Sequence, residues 1–369
     1  MAWCERHCHT FLVRLWCHGV KILDSTYSNE QAARLRVLQL HTMRLNARRR
    51  QRPGATPTVE QWVAEWMRVR PLAAETTDAY QAQLRKHLLP EFGHLHLEQI
   101  DQPTIRRFIR GLQAKGLHGS TIRGLITLLG TLLRDAIHIG YLAHDPTAGI
   151  RIPREQPPPR QVLEPEQIHL IAGRMPTTIL STLVITAAFT GLRPGETAAL
   201  QAGSLHDHDP GTLGLPYLYI HPTHGNRHEH HGRRWLGPVK SPAAARHVFL
   251  PPVLQKLLTG LAEAARPLLF PGADGDLLSR REFNVLWRAA CDGDGRRHWQ
   301  PISPGLRFYG LRHNHRSWMD EDGIAEDVQS ARLGHRRHHH RRPPPRLLAA
   351  RQQPPLLALQ ERWNGLAPT

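Results

Sequence analysis

Cysteine is scarce: four residues in 369, far too few for a disulfide scaffold of this length. Cys4, Cys8 and Cys17 lie near His7, His9 and His18, but zinc sites use tight paired spacings that this cluster lacks. Cys291 is remote from them. An incidental role is the expectation, with no metal and no cofactor. Long apolar runs are missing too. The longest, Ile179 to Phe189, falls well short of the ~20 residues of a spanning helix and reads as a buried core helix. Glu5, Arg6 and Arg14 interrupt the N-terminal apolar stretch, which leaves no continuous signal-peptide core. A cytoplasmic, reducing location with no membrane partner is expected. Acidic residues are few beside basic ones, 31 against 48, for a formal net charge of +17 at pH 7. Such a surface seeks polyanions, nucleic acid before all others.

The chain is long enough for two domains, each with its own core. Residues 1 to 55 form an N-terminal extension that ends in Arg48, Arg49, Arg50 and Arg52 and carries no readable function. From Thr58 the pattern is helical. Val59, Trp62, Val63 and Trp66 share one face, with Thr58 as N-cap and Gln61 three positions on. A second helix is predicted near Ala73 to Leu89, punctuated by Pro90 and Gly93, and a third from Pro103 to Lys115. The third turns Ile105, Phe108, Ile109 and Leu112 inward and Arg106, Arg107 and Arg110 outward. A fourth starts near Ser120, with Arg123 and Arg134 opposite its apolar stripe. Residues 56 to 150 therefore read as a small helical bundle with basic outer faces. Arg106, Arg107, Arg110, Lys115, Arg123 and Arg134 are candidate DNA contacts, as is Arg154 in the linker.

Residues 151 to 165, with Pro153, Pro157, Pro158, Pro159 and Pro165 among arginines, read as a stiff basic linker. Beyond it a helix near Pro165 to Arg174, the buried helix ending at Gly191, and strands between Tyr217 and Leu250 predict a mixed α/β domain over residues 166 to 335. The whole is expected to be mostly α with a small antiparallel β-sheet. His221, His224, His228, His230 and His231 fall in the predicted hairpin region, where facing solvent is the simplest reading.

Three segments carry chemistry. Thr190-Gly191-Leu192-Arg193-Pro194-Gly195-Glu196 ends one helix with glycine and opens another with proline, which puts Arg193 at the corner. Tyr309-Gly310-Leu311-Arg312-His313 opens a later helix, and Arg332-Leu333-Gly334-His335 follows it. Each alone is weak, because an arginine at a helix junction is usually an ion-pair partner. Their order, with Lys240 between them in a strand region, resembles the tyrosine recombinase or phage integrase family, particularly integrases of actinobacteria and their phages. The resemblance covers roughly residues 56 to 335, and the first bundle is similar to the family's core-binding, SAM-like domain.

The resemblance implies a site-specific recombinase that clamps double-stranded DNA, assembles as a homotetramer on attachment-type sites, and cleaves strands through a 3′-phosphotyrosine. Arg193 and Arg312 match the arginines that neutralise charge on the phosphate, a task suited to permanently charged, fork-shaped donors. Lys240 matches the lysine that protonates the leaving hydroxyl, and His335 the last phosphate-binding histidine. Glu196 and His313 are supporting residues. Two departures stand out. Tyr309 occupies the place of a histidine; its phenol can donate a hydrogen bond but cannot act as a cation. No tyrosine follows Tyr309, so the family's nucleophile has no counterpart.

Where that nucleophile would sit, residues 336 to 346 are only Arg, His and Pro, a block that forbids an ordinary helix. A reading frame that slipped and returned would give this composition, since the three residues share a first codon base. Resequencing codons 335 to 356 tests that hypothesis. Leu356, Leu357, Leu359, Gln360 and Trp363 then resemble an amphipathic terminal helix. Two functions compete: a recombinase, and a non-catalytic DNA-binding protein derived from one. A metal-binding role for His338 to His340 ranks last, because flanking arginines repel an ion.

Overall fold

The computed structural model describes all residues except 1, 8–9, 18–19, 38–39, 41–55, 153–161, 208–211, 265, 336–344 and 366–369. Cys8, His9, His18, Arg154, most of the basic linker and His338 to His340 therefore lie outside the described residues. The chain divides into two compact units, Met1–Pro158 and Pro159–Thr369.

The N-terminal unit begins with something the sequence did not announce. Strands β1 (Ala2–His7), β2 (Thr10–Cys17) and β3 (Val20–Tyr27) form an antiparallel meander in the order β1-β2-β3. Connections this short join strands only as antiparallel neighbours. Arg6, Glu5, Arg14 and Lys21 sit within the strands rather than in turns, and Glu5 pairs with both Arg14 and Lys21. Charges inside the strands hid the apolar alternation.

The bundle follows. Helix α1 (Val59–Val69) starts at a Thr58/Gln61 capping box, in which each side chain takes the other's free backbone N–H. Helix α2 (Ala74–Gln83) does not stop at Pro90: it continues through a π-turn (Leu84–Leu88) and a last turn (Leu89–Phe92). The π-turn shifts the hydrogen-bond register just ahead of Pro90, so the missing proline donor is absorbed. Helices α3 (Gln102–Ala114) and α4 (Gly119–Ile139) complete the bundle, the latter ended by Gly140 at φ 86°. Trp62 and Trp66 are buried against α4, where their indole N–H groups donate to Leu132 O and Asp135 Oδ2. Phe92, Ile105, Phe108, Ile122 and Leu129 fill the rest of the core. Each such side chain contributes roughly 1.5–3 kcal/mol by leaving water.

The C-terminal unit is built around α6 (Thr178–Thr190), a helix buried almost throughout its length. Apolar residues all round a helix demand cover on every side. Helices α5 (Pro165–Gly173) and α8 (Pro252–Ala262) supply it, together with α10 (Gly310–Glu321). Between them lie the short α7 (Pro194–Ala198) and a three-stranded antiparallel sheet of β4 (Leu205–His206), β5 (Tyr217–Ile220) and β8 (Arg246–Phe249), in the order β4-β5-β8. A separate hairpin pairs β6 (Asn226–His230) with β7 (Arg233–Gly237). Its turn, His231-Gly232, has φ of 47° and 78°, the doubly left-handed geometry of tight hairpins. Helices α9 (Arg280–Asp292), α11 (Glu326–Leu333) and α12 (Pro345–Asn364) complete the unit.

Two boundaries shift from the sequence expectation. Leu163, assigned to the linker, is buried, and its carbonyl accepts from Asn314 Nδ2 and Trp318 Nε1. The tail, expected to stand apart after residue 335, contributes Leu359 to the main core, while Gln360 Oε1 caps α8 through Val253 N–H.

Candidate active site and nucleic-acid interface

The last four carbonyls of a helix have no partner within it. Those of α6 become the anchor of the site. Gly191 ends the helix at φ 64°, and an added Cβ would stand 2.7 Å from both His315 Cδ2 and Leu333 Cδ2, so only glycine fits. The close approach lets α10 and α11 reach the freed carbonyls. Arg312 Nη1 donates to Gly191 O (2.7 Å), and its Nη2 donates to Leu333 O (2.5 Å). One buried guanidinium thus joins the carbonyl ends of two helices, where the macrodipoles favour a cation.

Arg193 is the N-cap of α7. Its backbone N–H donates to Glu196 Oε2 (3.0 Å) and its Nη1 to Glu196 Oε1 (2.6 Å). Arg246, buried at the start of β8, donates from Nη2 to the same Glu196 Oε2 (3.0 Å). Glu196 is therefore buried between two guanidiniums: burial alone would raise its pKa, but Arg246 and Arg193 hold it below the usual range. Arg193 Nη2 reaches Gly334 O at 3.5 Å, and Arg312 Nη2 lies 3.1 Å from His335 Nε2. Gly334 has φ 69°, which turns His335 back toward Arg312. The structure thus brings together Arg193, Arg312, His335 and Glu196.

Charge is conspicuously unbalanced here. Arg193, Arg246, Arg312 and Arg332 gather here, and among the described residues Glu196 is the carboxylate that pairs with any of them, through Arg193 and Arg246. Burial, Arg193 and Arg246 together bring the Arg312 pKa down to about 10. Burial, then Arg312 and Arg193, lower that of His335. An anion such as a phosphodiester would relieve this strain, since guanidinium pairs match its oxygens bidentately.

Other sequence-selected residues sit differently. Tyr309 is 42% exposed, one helical turn before Arg312, with its ring edge-on to His313 at 5.1 Å. Lys240 is exposed but lies beyond β7, in a bend between Pro238 and Pro242. Its expected place in a strand is corrected: flanking prolines cannot donate to a ladder. His228 and His230 belong to β6 rather than to a loop, and His228 stacks on Trp235.

His315, unmarked by the sequence reading, is fully buried. Arg332 Nε donates to its Nε2 (2.9 Å), so the ring proton sits on Nδ1 and is donated to Ala188 O (2.9 Å). Burial, then Arg332, push its pKa well below 6.5. The unfolded chain therefore takes up a proton that the folded chain refuses. Stability should be intact above pH ~6.5 and fall by about 1.4 kcal/mol per unit below it, until the folded-state pKa is reached. Urea unfolding at pH 7.5 and 5.5 checks this: the drop should shrink in His315→Gln, and an equal drop in the variant would refute the assignment.

In the N-terminal unit, Arg106, Arg107, Arg110 and Lys115 are exposed on α3. Arg134 is committed to Asp145 at 3.3 Å, while Arg123 is half-buried. Missed by the sequence reading was His87, whose pKa is lowered by burial and then by Lys86 and Lys115. Burial and its cationic neighbours favour neutral His87, while Lys86 on the π-turn and Lys115 at the end of α3 both lie close to it. Also missed was a crest on α9: Arg280, Asn284 and Arg288, spaced four apart and exposed. It borders a 560 Å³ cavity that Pro194 and Tyr309 also line, next to the arginine corner. Helical spacing of four was the available signal.

Residues 58–113 match the family model described as phage integrase, N-terminal SAM-like domain. The integrase of Mycobacterium phage L5 is 23% identical over 320 residues, covering 84% of this chain and 82% of that protein. An integrase of Saccharopolyspora erythraea is 26% identical over 161 residues, 42% of this chain and 36% of that protein. Among solved structures, the Tn1549 transposon integrase in complex with transposon right end DNA has a TM-score of 0.65 at 14% identity, covering 80% of this chain and 98% of that one. A lambda integrase tetramer bound to a Holliday junction has a TM-score of 0.54 at 16% identity, covering 90% and 91%. The family match over the first bundle and the integrase relatives support the tyrosine recombinase, or phage integrase, reading, and the C-terminal unit shares the fold of those solved structures. No helix of the described residues is long and apolar enough to cross a membrane.

Proposed function

We propose that this protein binds double-stranded DNA as a site-specific recombinase does, with the scissile phosphate seated on Arg193, Arg312 and His335, and that strand cleavage is lost in this chain. The observation that carries the first part is the gathering of Arg193, Arg246 and Arg312 about the buried carboxylate of Glu196. The second part rests on the absence of any tyrosine after Tyr309. Lys240, exposed at the end of the hairpin, would be the proton donor to a leaving hydroxyl. Tyr309 would donate a hydrogen bond to the phosphate in place of a histidine. Exposed Arg106, Arg107, Arg110 and Lys115, with Lys86, would track the backbone. On α9, Arg280, Asn284 and Arg288 carry the side-chain types that pair with guanine and adenine edges.

The relatives named above, phage and actinobacterial integrases, support a bacterial intracellular setting, and the tetrameric lambda structure supports assembly of four copies on DNA.

Salt titration tests the binding. Neutralising six or more phosphates releases counterions, so affinity for a duplex should fall by on the order of 10³ between 50 and 200 mM salt. Fluorescence anisotropy reads this directly, and a salt-insensitive or absent interaction would sink the proposal.

A further inference from the structure

Arg332 ends α11 with its side chain buried and its guanidinium surrounded by protein acceptors. Nε donates to His315 Nε2 (2.9 Å), and Nη1 donates to Phe249 O (2.9 Å) and Gln352 Oε1 (3.3 Å). Nη2 donates to Phe189 O (3.0 Å). These acceptors come from four elements: α10, β8, α12 and α6. Among the described residues no carboxylate pairs with Arg332, and the charge acting on it is the cation Arg246. A buried guanidinium without a counter-charge is a poor source of stability, since an apolar side chain of like volume would be cheaper to bury. With its donors turned to protein groups, Arg332 does not face a substrate either.

Its neighbours in the chain show what it does hold. Phe189 O, which it grips, is two residues before Gly191, whose carbonyl holds Arg312 Nη1. Leu333, the next residue, supplies the carbonyl that holds Arg312 Nη2. The carbonyl of Arg332 itself accepts from Arg246 Nε at 2.6 Å, and Arg246 in turn fixes Glu196, which fixes Arg193. Both phosphate-facing arginines thus hang on a frame with Arg332 at its centre.

We infer that Arg332 is a positioning residue: it ties the ends of α6, β8 and α11 together so that Arg193 and Arg312 converge on one anion, and Gln352 extends this frame into the terminal helix. The inference rests on the reading that the arginine pair takes a phosphate. Supporting groups of this kind around a charged site typically contribute ten- to a hundred-fold to its affinity.

The test uses the full chain, inorganic phosphate as probe, and the ring resonances of His335, assigned by comparison with His335→Gln. In the wild type these should shift saturably with phosphate. In Arg332→Met, which keeps volume and removes the donors, the dissociation constant should rise about tenfold while circular dichroism stays native. Gln352→Met should weaken binding in the same direction by less. A folded Arg332→Met with wild-type phosphate affinity would overturn the positioning role and leave only a structural one. If Arg332→Met does not fold, Arg332→Lys decides on the same terms: its single ammonium cannot span acceptors on four elements, so weakened binding supports the role and unchanged affinity overturns it. A wild type with no phosphate response at His335 would instead bring down the phosphodiester reading itself, and this inference with it.

Discussion

Glu196→Gln is expected to lower the unfolding free energy of the C-terminal unit by on the order of 3–5 kcal/mol, the cost of removing one member of a buried ion pair. Glu196 and Arg246 are 2% and 1% exposed by side chain, so water cannot replace the lost charge. The amide would also point N–H donors at guanidiniums that only donate. Denaturant unfolding, read on the transition of the C-terminal unit, gives the magnitude. A double-mutant cycle with Arg246→Met gives the coupling: the second substitution should recover much of the loss, because it removes the stranded cation. A loss below about 1 kcal/mol would mean that Arg246 is held by the carbonyls of Ala244 and Arg332 alone, and that Glu196 is dispensable to the frame.

The second large effect concerns chemistry. On a nicked suicide substrate carrying its attachment site, the protein should leave no covalent protein–DNA species after denaturing electrophoresis. Losing a nucleophile costs on the order of 10⁶ in rate when the rest of the machinery acts only through it. The remaining phenol near the phosphate site is that of Tyr309. It leaves α10 one turn before Arg312 and on the same side, so it approaches a bound phosphate from the flank the arginine occupies. Attack in line with the leaving oxygen needs the opposite flank. An adduct whose peptide maps to Tyr309 would overturn this geometry and restore the protein to the active enzymes. Absence of an adduct together with salt-dependent binding is the expected pair of results.

Much of the site was legible in the sequence because the local chemistry of helix ends is short-range. Gly191 followed by Pro194, and Gly334 before His335, announce a stop, a start and a corner, and the side chains beside them gather as those turns require. The same holds for Thr58 and Gln61, whose reciprocal caps are read from four consecutive residues. What stayed hidden depends on distance. Arg246, Arg332 and His315 act through partners 50 to 143 residues away in the chain, the Glu196 carboxylate and the Phe189 and Ala188 carbonyls, and no spacing rule connects them. The first sheet was obscured by charged residues in its strands. The passage of α2 through Pro90 depends on a π-turn that no residue pattern marks. Lys240 was expected in a strand because it matches the lysine of the family resemblance, but Pro238 and Pro242 on either side keep that segment out of the ladder.

The terminal helix is more than an appendage. Leu356 and Leu359 are buried, Gln360 caps α8, and Arg362 bridges Glu321 and Asp322. If cleavage is gone, mutations in residues 345–364 no longer meet selection through catalysis, yet they still meet it through folding. Changes that unseat Ala349, Gln352, Leu356 or Leu359 would therefore still be rejected long after the chemistry had gone.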